Sequence, residues 1–360
     1  MGIRELLQKK FQNLFVSIVL HETECLLHCK VFKNNRVEKS FTKTFPLTPP
    51  VDALDKAIEN YLVELQDEYQ FVYVAYLLGT LGQGAIEGTS SASFSKHHVD
   101  MQSVHHITFA KQWSAYASYI EIKWAKNLFS DVGLDLIYSP FVVLNACMLN
   151  EKVRSKPTCY ILNCHDFFIM GVFEGQQLYF GAFFKTQSDT SFVHTEDIDD
   201  WEHEQEEESI VSKEELPELN VEIKEREEEI DELNEFEELG ELRELDDIDA
   251  LSGENTFSDV NTHTLGYFNG KDALKEEDIS LELYGRDLLV YKYLKSALEE
   301  YYHNPLYTSQ FIEDIVIFDG YEISSDLIHQ IEDELMMRVE VHKVDVGERI
   351  CDIAIEEVFG

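Results

Sequence analysis

The sequence predicts an α/β protein made of two similar halves, each opening with a strand meander and continuing through crossover helices. Three observations carry this expectation. β-rich runs joined by short turns open the chain, and similar runs return past its middle. Helix-period segments follow each set of strands. Between the last runs of the second set lies an acidic stretch that fits neither half. The 360 residues are 44% hydrophobic and 12% aromatic, enough to build a large core.

Residues 15–20, 25–32 and 37–45 are rich in β-branched and aromatic side chains. His21-Glu22-Thr23-Glu24 and Asn34-Asn35 join them, which reads as an antiparallel meander. Pro49-Pro50 breaks the chain. Leu54, Ala57, Ile58, Leu62 and Leu65 then recur at helical spacing across 51–68. Residues 71–78 read as a buried strand and 79–95, rich in Gly and Ser, as a loop. Residues 113–129 are expected to be one helix, ended by Gly133. A short strand at 134–138 leads into a helix opened by Pro140. Residues 158–170 and 178–184 are expected to form a hairpin turning at Glu174-Gly175-Gln176. Past the acidic stretch come a helix (287–302), a strand (314–318) and a turn at Asp319-Gly320. A helix at 324–337 follows, capped by Ser324 or Ser325, then a strand (339–344) and a final helix (349–358). A meander plus crossover helix, met twice, implies internal duplication rather than a doubly wound sheet.

Charge is concentrated rather than spread. The chain carries 70 acidic and 29 basic residues, a net charge of −41. Residues 196–249 alone hold 27 acidic and four basic residues, so one seventh of the chain supplies −23 and the rest −18. Runs such as EHEQEEES repel themselves and cannot bury a core, so disorder or a detached helix is expected there. Leu216, Leu219, Ile223, Ile230 and Leu233 are followed by an apolar residue at every third position, from Phe236 to Leu251. That stripe reads either as a docking helix for a basic or apolar groove, or as a loosely packed helix or solvated linker. So acidic a chain is a poor binder of nucleic-acid phosphates and of anionic membranes.

No apolar run reaches the ~20 residues of a spanning helix. The opening MGIRELLQKKFQ is a short amphipathic segment rather than a signal peptide, and Leu6 breaks the myristoylation pattern. The six cysteines lack a C-x-x-C pair and lie mostly in apolar surroundings, as small buried hydrophobes of a reducing cytosol do.

Three segments resemble a known family. Residues 122–149 (IKWAKNLFSDVGLDLIYSPFVVLNACML), 159–184 (CYILNCHDFFIMGVFEGQQLYFGAFF) and 314–345 (DIVIFDGYEISSDLIHQIEDELMMRVEVHKVD) are similar to segments of actin-like ATPase-fold proteins. Within that fold the likeness is to PilM and the cytoplasmic part of GspL. These are platform proteins of type IV pilus and type II secretion machines, with a further likeness to DNA-uptake (natural transformation) proteins of ε-proteobacteria. The resemblance covers about 12–190 and 265–360. It implies an actin-like, ribonuclease H-like duplication of βββαβα subdomains: 1–157 first, then 158–190 with 261–360, and 191–260 as an acidic insert.

The resemblance also implies a nucleotide cleft, and the chain departs from its pattern three times. The first phosphate turn, Asp-x-Gly in the family, is matched by Ser17-Ile18-Val19-Leu20-His21-Glu22-Thr23, with neither Asp nor Gly. The second reads Asn163-Cys164-His165-Asp166, with Asn163 in place of the Asp and His165 in place of the glycine. The adenosine turn keeps only Gly320 of a glycine pair, and Asp319 would repel a phosphate. These changes point to a pseudo-ATPase without catalytic residues or cofactor. The competing view is weak ATP–magnesium binding through Asn163, Asp166 and Gly320.

Other candidates read more plainly. The glycines of Gly79-Thr80-Leu81-Gly82-Gln83-Gly84 lack the Lys-Ser/Thr of a phosphate loop. His97-His98 and His105-His106 have no cysteine or carboxylate motif nearby, and no metal site is expected there. Cys159 and Cys164 beside His165 suggest packing rather than a nucleophile. Asp131 and Asp135 read as turn and strand-end residues. Trp113, Tyr116, Tyr119 and Trp124 read as core, with an exposed subset as a partner surface.

The expected function is therefore a non-enzymatic cytoplasmic adaptor, peripheral to the inner membrane, in a secretion, pilus or DNA-uptake platform. Its implied partners are the assembly ATPase and a membrane platform protein, with no direct nucleic-acid binding and a homodimer as a further option. The alternative is an active actin-like ATPase or phosphotransferase. GspL carries a membrane helix after its cytoplasmic domain, so the chain reads as a PilM-like partner or as one ending ahead of such a helix.

Overall fold

The computed structural model describes residues 11–48, 51, 53–151, 154–186 and 272–360, with side chains from 285 onward in the last of these. The acidic insert 191–260, its docking-helix reading, the N-terminal segment 1–10 and Pro49-Pro50 lie outside the described residues.

Strands β1 (Asn13–Leu20), β2 (Glu24–Lys33) and β3 (Arg36–Pro46) form the expected meander. Asn34 and Asn35 both take positive φ, the backbone that a two-residue hairpin turn demands. Asp55 caps helix α1 (Lys56–Glu68) by accepting the Ala57 N–H, so the helix begins later than its apolar spacing indicated. It crosses over to β4 (Phe71–Leu77), which runs parallel to β1.

Next come β5 (Gln83–Glu87), α2 (Ser91–Lys96), β6 (Val104–Phe109), β7 (Trp113–Ser118) and α3 (Tyr119–Leu128). Strand β8 (Leu136–Tyr138) and helix α4 (Pro140–Asn150) end the first half. The second half runs β9 (Thr158–Asn163), β10 (Phe167–Glu174), β11 (Gln177–Lys185), α5 (Asp272–His303), β12 (Asp314–Asp319), α6 (Ser325–Leu335), β13 (Arg338–Lys343) and α7 (Val346–Phe359).

The first sheet has order β3-β2-β1-β4-β8 and the second β11-β10-β9-β12-β13. In each, three antiparallel strands are extended by two parallel ones. The same order and the same pairing senses, met twice, are the duplicated ribonuclease H-like arrangement of the actin-like fold. A third sheet, β5-β7-β6, has no counterpart in the second half among the described residues.

Three expectations are corrected. Residues 113–129 are not one helix: 113–118 form β7, and Ser118 then caps α3 by accepting the Ile120 N–H. Hairpin pairing with β6, three residues earlier, and with β5, some way back in the chain, overrides the local helical spacing. Residues 79–95 are not a plain loop, because that same pairing makes β5 of a glycine-containing stretch, with α2 after it. Residues 158–170 are not one strand. They are β9 and β10, turned at Cys164-His165-Asp166, where the Cys164 N–H donates to the Phe167 carbonyl at 3.0 Å. The strands are buried throughout, so the apolar run carries no mark of the turn. This turn completes the second meander.

Among the described residues the core falls into three large clusters and a small fourth one of Ile86, Phe94 and Val104. Phe15, Tyr160 and Phe318 face a middle cluster with Phe141 and Leu144 of α4 and Ile350 of α7. A second cluster joins the first sheet to α1 and α3, and a third joins the second sheet to α5 and α6. Each fully buried side chain of this size contributes roughly 1.5–3 kcal/mol by leaving water.

Candidate functional site

Two hairpin turns meet where the halves of the fold face each other. The β1–β2 turn is closed by the His21 N–H donating to the Glu24 carbonyl at 2.8 Å. The β9–β10 turn carries His165 and Asp166. The Glu22 N–H donates to Asp166 Oδ2 at 3.1 Å, joining the two turns directly. His21 Nδ1 lies 3.7 Å from the same carboxylate oxygen, and His165 Nδ1 bonds to its other oxygen, Oδ1. The two imidazoles lie 4.8 Å apart between ring centres. Burial alone would push the Asp166 carboxyl up, but hydrogen bonds from His165 and His21 outweigh it and hold it well below the ordinary carboxylate range.

Behind the second turn, Arg286 of α5 is 7% exposed. Its guanidinium donates to Asn163 Oδ1 at 2.5 Å, to the His165 carbonyl at 3.0 Å and to the Cys164 carbonyl. Its charged end also lies over the Tyr321 ring, 4.8 Å from the centre. Asn163 Nδ2 donates to Asp319 Oδ1 at 2.8 Å, and Asp319 accepts the Tyr321 and Ile323 N–H groups. The Gly320 N–H donates to the Asn163 carbonyl at 2.8 Å. A Cβ on Gly320 would fall 2.7 Å from Val346 Cγ2, so close packing against α7 requires glycine there.

The structure thus brings Asn163, Asp166 and Gly320 to one place and adds His21 and Arg286, to which the sequence reading gave no such part. Arg286 had a signal in principle: an Arg286-Asp287 pair of opposite charges just ahead of the apolar run Leu288-Leu289-Val290. A nucleotide phosphate with its magnesium ion fits these residues poorly. The N–H of Glu22 is already spent on Asp166, Asn163 is held by Arg286 and Asp319, and the Asp166 carboxylate stands where the phosphate's charge would fall.

A larger cavity, of about 550 Å³, lies elsewhere. Ile107 of β6, Ala115 and Ala117 of β7, Tyr119 of α3, Leu136 of β8 and Val142 of α4 line it. Strand β8 ends its sheet, so one edge is unpaired among the described strands. At the rim, Tyr138 Oη donates to Glu357 Oε2 at 2.7 Å. Burial, with the Glu357 carboxylate beside it, pushes this phenol up, keeping it a donor.

The other candidates fall into place separately. Gln83 ends the glycine-rich stretch by donating to the Leu78 and Thr80 carbonyls, and Gly84 packs under Tyr116. His105 and His106 are successive residues of β6, set against Tyr119 and Phe94 respectively, and His97 packs by Tyr307. Burial pushes the Cys159 thiol up to about 12, and all six cysteines are buried and free. Asp135 has a partner: its carboxylate accepts the Val74 N–H at 2.9 Å. Trp113 and Tyr116 lie on a strand; Trp113 is core, while Tyr119 is half exposed. No described helix is long and apolar enough to cross a membrane.

Fold and site together describe an actin-like body whose β1–β2 and β9–β10 hairpin turns bond to each other. Residues 159–359 match the family described as Domain of unknown function (DUF8341), and the chain belongs to that family. Residues 11–145 match a second, Domain of unknown function (DUF8569). No curated protein matches in sequence. Among solved structures, the chain is similar to one titled as a PilM–PilN type IV pilus biogenesis complex (11% identity, 96% of each chain, TM-score 0.47). It is also similar to a Bacteroides thetaiotaomicron protein of actin-like ATPase fold and unknown function (8% identity, 98% of this chain and 99% of that one, TM-score 0.42). A third is MreB 5 of Spiroplasma citri bound to AMPPNP (10% identity, 96% and 97%, TM-score 0.40).

Proposed function

We propose that the chain is a non-enzymatic adaptor, cytoplasmic and peripheral to the inner membrane, in a secretion, pilus or DNA-uptake platform. It holds an assembly ATPase and a membrane platform protein, the partners that the sequence resemblance implies. Residues 1–157 and 158–190 with 261–360 act as one rigid body, and 191–260 as a separable docking segment.

One observation carries this reading: the groups that face each other across the two hairpin turns are bonded to one another, while a roomier, mostly apolar cavity lies away from them along an unpaired sheet edge. The occupant of that cavity is an extended segment of the platform protein's cytoplasmic tail. Main-chain bonds to β8 supply affinity and apolar side chains fill the cavity. Asp135 and Glu357 against Lys126 at the cavity, and a net charge of −41, favour basic residues flanking that segment.

Calorimetry tests both sides of the proposal. A basic–apolar peptide from such a tail should bind with one-to-one stoichiometry, and magnesium–ATP should give no heat. Nucleotide binding that disappears in Asn163→Ala would overturn the non-enzymatic reading and favour an ATPase.

A further inference from the structure

The same paired turns hold a set of groups that the adaptor reading does not use. His21, His165 and Asp166 each offer one ligating atom, and these atoms all lie within 4.8 Å of one another. They come from two hairpins of opposite halves, so the set exists only in the folded chain.

We propose that His21, His165 and Asp166 bind a divalent transition-metal ion of the zinc class, and that the ion staples the first hairpin turn to the second.

Donor chemistry selects the ion. Two imidazoles and one carboxylate suit zinc and its neighbours in the first transition row. Magnesium and calcium take oxygen ligands, and this set offers too few of them. The ligands are also held in advance. The His165 carbonyl accepts from Arg286 Nε and from Thr186 Oγ1 (3.0 and 3.2 Å), which anchors the main chain of that ligand. The Tyr321 ring meets the His165 ring edge-on at 4.3 Å and fixes its plane. The Glu22 N–H donates to Asp166 Oδ2, orienting the carboxylate. Outer contacts of this kind orient metal ligands in known sites.

A cavity of about 390 Å³ opens on the two histidines. Three protein ligands leave a fourth position for water or a partner's side chain, and the cavity gives it room. Asp319, Glu322 and Asp345 line that cavity against Lys343, so its charge favours a cation. The metal would sit between the turns that a nucleotide would occupy in an active relative, closing the cleft rather than serving it.

The experiment is a titration of the full chain with zinc and, separately, cobalt(II), after chelator treatment. Wild type should bind one equivalent tightly, with cobalt absorption in the visible range, and its melting temperature should rise. His21→Ala and His165→Ala should each weaken the tight site at least tenfold and lose the cobalt spectrum. His105→Ala, outside the set, should behave as wild type. Weak additional binding that persists in every variant belongs to the acidic residues and leaves the prediction intact. Absence of a tight equivalent in wild type, or a tight site surviving both His21→Ala and His165→Ala, would overturn the proposal. If either alanine variant is unfolded by circular dichroism, His165→Gln, which keeps a polar side chain near Asp166, replaces it.

Discussion

Two cavities of one body are built on opposite principles. The cleft between the hairpin turns is polar, its facing groups are bonded to one another, and a buried guanidinium braces the second turn from behind. The cavity beside β8 is lined mostly by apolar side chains and open along a strand edge. Both border halves of similar topology, yet among the described residues only the first half has the extra sheet that walls the larger cavity. The lesson is that duplicated topology fixes where clefts form, while individual side chains decide whether a cleft is sealed or left to receive something.

The largest expected effect comes from unsealing the polar cleft. Arg286→Ala takes the guanidinium from Asn163 Oδ1 and the Cys164 carbonyl, leaves the His165 carbonyl to Thr186 Oγ1, and leaves buried Asp287 without its cation; it should cost about 3 kcal/mol, within the range for breaking a buried ion pair. Urea unfolding at neutral pH reads this directly. A loss under 1 kcal/mol would mean the network is a loose feature, and the comparison between cavities would fail.

Asp166→Asn should cost about 1–2 kcal/mol at pH 7, because the link from Glu22 and the histidine contacts weaken. The carboxyl's folded pKa is held below its ordinary value of 3.8, so its stabilisation is present above that value. It is lost as pH falls through the folded pKa. The gap between wild type and variant, measured in chelator-containing buffer, should therefore shrink between pH 5 and the acid limit.

A change in the open cavity should act the other way. Ile107→Glu alters a half-exposed side chain and should shift stability by no more than about 0.5 kcal/mol. Peptide binding at the cavity should fall at least tenfold, as for an apolar anchor at an interface centre. Equal losses of stability and binding would show that the cavity is core rather than a docking surface.

The smallest effect is a null one. Burial pushes the Cys25, Cys29 and Cys159 thiols up to about 12, and Cys147 and Cys351 to about 11. None should react with a thiol reagent in the native chain, and all six should react in urea. Fast labelling of Cys164, beside the second turn, would indicate that the sealed cleft opens.

Much of this was legible in the residues. The meander at the start and the strand–helix–strand–helix series at the end follow apolar patterns that each element imposes on itself. Asn163, Asp166 and Gly320 were named through the resemblance; Gly320 donates to the Asn163 carbonyl, and Asp166 lies in the turn that follows Asn163. Residues 158–170 were misread because a run buried on both faces shows no alternation, and the hairpin inside it is defined only by pairing. Strand β7 was misread as helix because the turn that joins it to β6 has Ala110 and Lys111 at positive φ instead of the glycine or asparagine that marks a hairpin, so helical spacing was the stronger local signal.

By itself, then, the sequence determined the α/β class, the repeated order of strands and helices, and the concentration of acidic residues in one stretch. Each is written in composition or in short-range order. Tertiary structure alone decided that His21 meets His165 and Asp166, that Arg286 seals the second turn, and that the edge of β8 faces an apolar cavity. Those contacts join residues more than one hundred positions apart, or elements paired across the chain. Side chains so distant meet only after both sheets have formed and packed, so no local pattern announces them.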